Sequence, residues 1–542
     1  MPDRPHTSAA VRLTSSYWPK DESKPVVDLT IGDLLRGAAA DSPDGLALVA
    51  GMPDPAARRR WTFAELLADS ERAARALAAI FRPGERVAVW APNLPEWIIL
   101  EMAAGLAGVI LVTVNPAYRP AELLHVLSQS GASGIFHVPE FRGNPMAASL
   151  EQVMPELPAL RHVVSFDDWD RFIASGREDQ ALPHVSPDDP ALLLYTSGTT
   201  GFPKGALLNH RGIVNSARFT VDKVELEPGD VWLSPTPLFH TGGCVVVALG
   251  TLWARATHIP ILMFDPGLAL ELIETEKVGF MGGVPTVLLA MMEHPDRQTR
   301  DMSSLKSVLS GGANVPPELV RRIESALDLR FGIAFGQTET SSGLSQTRLD
   351  DTPEDKGQTV GQPMTQVEVK IISLDDGSTV PVGTIGEICC RGFNVMLGYY
   401  DNPEATASAI EADGWLHTGD LGTMDERGYI RVEGRLKDMV IRGGENLYPR
   451  EIEELLFTHP AVADVAVLGI PDEKWGEELA AVVRRAPGHD SVTEQELRLF
   501  VRERLAPQKA PHRWAFLDEL PLTPSGKVQK YVLRERFVKG EL

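Results

Sequence analysis

Residues 195–205 read "YTSGTTGFPKG" and follow directly on an apolar run, residues 192–194. Glycine lets the backbone turn its N–H groups inward, and the hydroxyls of Thr196, Ser197, Thr199 and Thr200 add short donors. With Gly198 between them and Lys204 as a cation, the loop suits a ligand with many oxygens, and phosphate is the first expectation. It is not a P-loop. Five positions after Gly198 stands Pro203, and Lys204 is followed by Gly205 where that motif has Ser or Thr. An ordinary Gly/Ser turn is the competing reading, but such turns rarely run this long or carry a lysine after proline.

Five further segments carry groups that do chemistry: "PLFHTGG" (237–243), "FGQTE" (335–339), "WLHTGD" (415–420), "GRLKDMVIRGGENLYPREIE" (434–453) and "PLTPSGKVQK" (521–530). Taken singly they are bland, since a lone Glu339 in a loop is usually solvated and "PSGK" alone makes Lys527 one more surface lysine. All six, in order from residue 195 to 530, resemble the adenylate-forming superfamily of acyl-CoA synthetases, carrier-linked adenylation domains and luciferases. The resemblance covers nearly the whole chain.

It implies an enzyme in which a carboxylate attacks the α-phosphate of ATP, pyrophosphate leaves, and the acyl group passes from acyl-AMP to the thiol of coenzyme A. Two anions must meet, so positioning and charge neutralisation should supply most of the catalysis. Position by position, the resemblance implies that Thr196, Ser197, Gly198, Thr199, Thr200 and Lys204 hold the β- and γ-phosphates. Glu339, preceded by Thr338, would carry Mg²⁺, for which a carboxylate is a fitting hard ligand. Asp420 would accept the ribose hydroxyls, with Arg435 beside ribose and phosphate. Gly311, Gly312, Ala313, Phe335, Gly336 and Gln337 would wall the adenine side; Phe335 stands where many relatives have Tyr, which keeps stacking and removes a hydroxyl. Lys527 would bridge the substrate carboxylate and the α-phosphate.

In this superfamily a final domain rotates between the two half-reactions. Lys437 matches its hinge, and rotation would withdraw Lys527 and bring "RGGEN" to the site. Gly443 and Gly444 would let the pantetheine arm pass close to backbone. Trp475, with Lys509 and Arg513, would hold the coenzyme A nucleotide, core packing being the equal alternative for Trp475.

Amino-acid-activating relatives place an Asp in the segment equivalent to 237–243 to pair the substrate ammonium. His240 stands here instead, which disfavours amino acids because an unpaired buried ammonium is costly. Phe239 and His240 match the aromatic–His pair of acyl- and aryl-CoA synthetases. Thr241, Gly242, Gly243, Gly282, Gly283, Gly311 and Gly343 are small, so the expected acid is a medium-chain fatty acid or an aryl acid. The alternatives are transfer to a separate carrier protein, or activation of another oxyanion such as nitrite. A non-enzymatic sensor is disfavoured by the joint presence of Lys204, Glu339, Asp420, Arg435 and Lys527.

These residues must be positioned by a scaffold. Between residues 30 and 430 helical stretches alternate with Val/Ile/Leu-rich runs such as "RVAVWA" (86–91), "GVILVTV" (108–114) and "LRHVVSF" (160–166), the α/β pattern of crossover-connected strands. From about residue 380 Gly-punctuated short strands suggest a small β subdomain. A helix beginning near Pro449 and a strand after it open a compact final α+β domain. The expected division is an adenylating domain of several α/β subdomains, 1–436, and a mobile lid domain, 437–542.

With 542 residues the chain exceeds a single core. Its formal charge of −22 repels polyanions, so no nucleic-acid partner is expected. Cys244, Cys389 and Cys390 form neither a disulfide framework nor a metal-ligand spacing. No signal-like apolar stretch opens the chain and the longest uncharged apolar run, 102–114, is too short to span a bilayer, which points to the cytoplasm. Base rates alone make a homodimer plausible.

Overall fold

The computed structural model describes residues 12–196, 203–311, 315, 317–522 and 528–542. Ser197, Gly198, Thr199, Thr200, Gly312, Ala313 and Lys527 lie outside them.

The segment after Leu94 shows how local sequence sets the scaffold. Pro95 opens the helix Pro95–Ala107, whose residues are buried on every side, the mark of a core helix. Gly108 ends it at φ 66°, a left-handed position that glycine adopts without a Cβ clash. The buried strand Ile110–Val114 follows, and Asn115 then turns the chain, its Oδ1 accepting from the Ala117 N–H at 2.9 Å.

That strand lies between Arg86–Trp90 and Pro190–Thr196 in a parallel sheet that Gly134–His137 and His162–Ser165 extend. A hairpin returns Lys204–Asn209 antiparallel to Pro190–Thr196, and the short strand Gly398–Tyr399 closes its outer edge. A second parallel sheet holds Val231–Ser234, Thr257–Pro260, Phe280–Gly282, Ser307–Gly311 and Arg330–Phe335. One apolar cluster packs the helix Pro95–Ala107 against Ile31, Phe63, Leu77, Cys244 and Leu249, so helices fill the space between sheets.

The third sheet is antiparallel: Val367–Ile372, Gly386–Gly392, Leu416–Met424 and Ile430–Arg435. It begins earlier than the expected residue 380, because Val367–Ile372 alternates buried and partly exposed positions without a glycine to mark it. It also takes in the two-residue strand Tyr17–Trp18, too short to leave a periodic signal.

The last sheet combines Val440–Arg442, Glu445–Leu447, Val462–Asp472 and Gly476–Arg485, with Arg513–Phe516 parallel to the fourth of these. The helix Pro449–Phe457 covers it, and Val440, Ile452, Leu456, Val467 and Leu479 form a separate core. Between the third and last sheets runs one 3₁₀ turn, Leu436–Asp438. The molecule thus has a large α/β portion and a smaller α+β portion. No helix among the described residues is long and apolar enough to cross a membrane.

Candidate active site

The hairpin that carries the 195–205 segment is in register Thr196 opposite Lys204, with the Thr196 hydroxyl 3.4 Å from the Lys204 carbonyl oxygen. Lys204 is exposed, and its Nζ sits 5.1 Å from the centre of the Tyr399 ring, a cation–π contact supplied by the edge strand. Tyr399 then donates its hydroxyl to Glu339 Oε1 at 2.8 Å. Burial first, and the Glu339 charge second, push the Tyr399 phenol well up, so it stays a donor through the working range.

Glu339 is 8% exposed and occupies a single 3₁₀ turn, Thr338–Thr340, after the strand Arg330–Phe335. The chain doubles back there so tightly that a Cβ on Gly336 would lie 1.9 Å from the Ser342 carbonyl oxygen. Gly336 is therefore required by the turn. Ser341 and Ser342 take φ of 50° and 86°, and Leu344 N–H bonds back to the Phe335 carbonyl at 2.9 Å. Backbone strain held by surrounding hydrogen bonds is what projects a carboxylate from such a turn.

Gln337 reaches the other wall, its Nε2 donating to the Thr418 carbonyl at 3.3 Å. Asp420 and Arg435 are cross-strand neighbours, Arg435 Nε lying 3.5 Å from Asp420 Oδ1. Lys437 stands two residues beyond Arg435. Burial, aided by Arg435, brings its ammonium down to about 8, while Asp438, Asp420 and Glu339 oppose the shift. Thr196, Lys204, Glu339, Gln337, Asp420, Arg435 and Lys437 therefore converge, with Tyr399 as a link that no local pattern in the sequence marked.

His240 lies just before a π-helix, Gly242–Leu249, a rare geometry that recurs at functional sites. Its ring is 4.3 Å from that of Phe239, and the Cys244 thiol donates to its carbonyl oxygen at 3.3 Å. The small residues expected to leave room for the acid divide into two kinds. A Cβ on Gly243 would meet the Pro237 carbonyl oxygen at 2.3 Å, and one on Gly343 the Met364 sulfur at 2.3 Å. These two serve close packing and open no space. Gly282 and Gly283 meet nothing nearer than 3.3 and 3.2 Å. Gly311 closes against the Ala334 carbonyl oxygen at 2.9 Å.

Gly443, Gly444 and Trp475 lie in two turns of the last sheet, between Arg442 and Glu445 and between Asp472 and Gly476. Both glycines have positive φ, 60° and 87°, and a Cβ on Gly443 would meet the indole of Trp475 at 2.8 Å. Trp475 is 37% exposed, which removes core packing as its role. Arg442 and Lys474 lie 4.7 and 4.5 Å from its ring centre. Lys509 is engaged by both oxygens of Glu451, at 2.8 and 2.6 Å.

A family described as AMP-binding enzyme matches residues 35–400, and its C-terminal domain matches residues 451–527. The chain is 37% identical over 543 residues to YngI of Bacillus subtilis (strain 168), a protein bearing an acyl-CoA synthetase name, covering 95% of this chain and 98% of that one. It is 36% identical over 545 residues to the mitochondrial medium-chain acyl-CoA ligase ACSF2 of Bos taurus, covering 94% and 87%. Among solved structures, ATP-bound MatB from Rhodopseudomonas palustris superposes with a TM-score of 0.84 at 31% identity, over 94% of this chain and 99% of that one. The chain belongs to the AMP-binding enzyme family and is an AMP-forming acid–CoA ligase.

Proposed function

We propose that this ligase activates a medium-chain fatty acid in the cleft between the Lys204–Tyr399–Glu339 array and the Asp420–Arg435 pair. The substrate class is supported by the name of the ACSF2 relatives, which align along most of both chains. The observation that carries the site assignment is the convergence of a cation, two buried carboxylates and a guanidinium from four separate segments.

In this reading Lys204 and the 196–204 hairpin hold the leaving phosphates, and Asp420 accepts the ribose hydroxyls with Arg435 beside them. Glu339 suits Mg²⁺: Tyr399 takes one carboxylate oxygen, and the other would be a hard ligand for the cation. That ion would neutralise charge on the triphosphate as the acid's carboxylate approaches. Lys437, facing both carboxylates, adds positive charge on the same side. We assign Lys527 to the meeting point of the acid carboxylate and the α-phosphate, and Lys437 as the pivot between the 1–436 and 437–542 portions. Gly443, Gly444 and Trp475 then receive the pantetheine and nucleotide of coenzyme A, with Arg442 and Lys474 beside the indole. Three buried free thiols suit a reducing, cytoplasmic setting.

A panel of straight-chain, dicarboxylic and aryl acids, assayed for pyrophosphate release and then for coenzyme A thioester, tests the substrate. Medium-chain acids should give the highest kcat/KM. An aryl acid ahead of them by tenfold or more would reassign the pocket.

A further inference from the structure

The ladder between Gly386–Gly392 and Leu416–Met424 breaks where the putting-together of the site needs it. Cys389 pairs with His417 and Glu387 with Leu421, so Thr418, Gly419 and Asp420 face a single residue, Ile388. A bulge of this kind re-aims side chains and leaves backbone groups without ladder partners. Here side chains supply them. The Thr418 hydroxyl donates to the Ile388 carbonyl at 2.7 Å and accepts from the Asp420 N–H at 3.1 Å. Gly419, at φ 69°, donates its N–H to Glu387 Oε1 at 3.0 Å.

Glu387 is itself held. Its Oε2 lies 2.8 Å from His417 Nδ1, while His417 Nε2 lies 2.9 Å from Glu411 Oε1. An imidazole with a carboxylate at each nitrogen satisfies both only by donating from both, which makes it an imidazolium. We propose that His417, in its doubly protonated form, is a positioning residue that locks the 418–420 bulge and thereby presents Asp420 to the nucleotide. The proposal rests on the nucleotide-binding reading of Asp420.

The charged groups around the ring are accounted for on each packed element. Glu387 and the thiol of Cys389, whose sulfur is 3.6 Å from Nδ1, come from the neighbouring strand. Glu411 comes from the segment before the strand, and its Oε1 also lies 3.9 Å from Lys370 Nζ. Burial alone would lower the imidazole, but the hydrogen bonds and charges of Glu387 and Glu411 outweigh it and hold His417 above its ordinary value. Cys389 stays a thiol, because burial pushes it far up. The lock is therefore fully present below the ordinary histidine value of 6.5 and lost as pH rises through the raised His417 value.

The test is the KM for ATP, from pyrophosphate release, between pH 6.5 and 9 for wild type, His417→Gln, His417→Arg and Asp420→Ala. Lys437 titrates in the same window, so the difference between profiles is the readout. His417→Gln should raise the KM for ATP about tenfold at pH 7 with a smaller change in kcat, the loss of one charged hydrogen bond. It should also lose the part of the rise that wild type shows at higher pH. His417→Arg, which keeps a donor fork and its charge, should recover part of the affinity. Nitrogen-15 histidine spectra of the wild-type enzyme should show both His417 nitrogens protonated at pH 6.5. A neutral His417 at that pH, or a His417→Gln profile that overlays wild type, overturns the proposal. So does stoichiometric zinc in the purified enzyme, because Glu387, Cys389 and His417 each bring a donor atom within 4.8 Å of the others. An Asp420→Ala enzyme with unchanged affinity would instead defeat the ribose assignment; an effect there with His417→Gln silent defeats only the lock.

Discussion

Replacing Tyr399 by Phe removes one oxygen atom and isolates the role of the contact to Glu339. The ring remains, so the 5.1 Å approach of Lys204 to its face is kept. The 2.8 Å hydrogen bond to Glu339 Oε1 is lost, in a carboxylate only 8% exposed, where water replaces it poorly. A hydrogen bond to a charged group contributes about 1.5–3 kcal/mol, and each 1.36 kcal/mol is a factor of about ten. If Tyr399 orients Glu339 for the cation–triphosphate complex, the kcat/KM for ATP should fall about 10- to 150-fold. The Mg²⁺ concentration giving half-maximal rate should rise with it. Pyrophosphate release, titrated with Mg²⁺ at fixed ATP and acid, reads both quantities. A rate within twofold of wild type and an unchanged Mg²⁺ requirement would refute the reasoning, leaving Tyr399 as packing for the hairpin edge.

Asp420→Ala should weaken ATP binding by about 1.5–3 kcal/mol, seen as a raised KM for ATP or by calorimetry with a non-hydrolysable analogue. Lys527→Ala should abolish acyl-AMP formation by orders of magnitude yet still convert supplied acyl-AMP to thioester; equal loss of both half-reactions would count against a rotating lid. Lys437 is exposed, so solvent screens its charge. Lys437→Met should therefore leave Tm nearly unchanged between pH 7 and 10 while slowing adenylation. A Tm raised by several degrees at pH 7 would contradict this reading.

Elements governed by neighbours in sequence were legible. The helix Pro95–Ala107, the Gly108 stop and the buried strand after it follow from Pro, Gly and an apolar run. The helix Pro449–Phe457 follows from its proline and first-turn acid. The residues that converge at the candidate site were legible as motif positions. Their supports were not: Tyr399 meets Glu339 across 60 residues, and His417 meets Glu387 across 30, through strand pairings with no periodic trace. At Gly343 a missing side chain looks the same in sequence whether it leaves a pocket or makes way for Met364, which lies against it here. The Lys509 ion pair was not legible for a related reason, since its partner Glu451 is 58 residues away.

The edge strand Gly398–Tyr399 has a consequence for synthesis. Its partner, Lys204–Asn209, leaves the ribosome some two hundred residues earlier. At 5–20 residues per second that is roughly 10–40 s during which the strand's outer edge has no native partner. The exposed stretch is "KGALLN", apolar in its middle and beside the glycine-rich loop. An unpaired strand edge of this composition is a template for wrong pairing. On the nascent chain it is the segment a holding chaperone should cover first, and slow translation between residues 209 and 398 should lower the yield of soluble enzyme more than the same delay placed after residue 400.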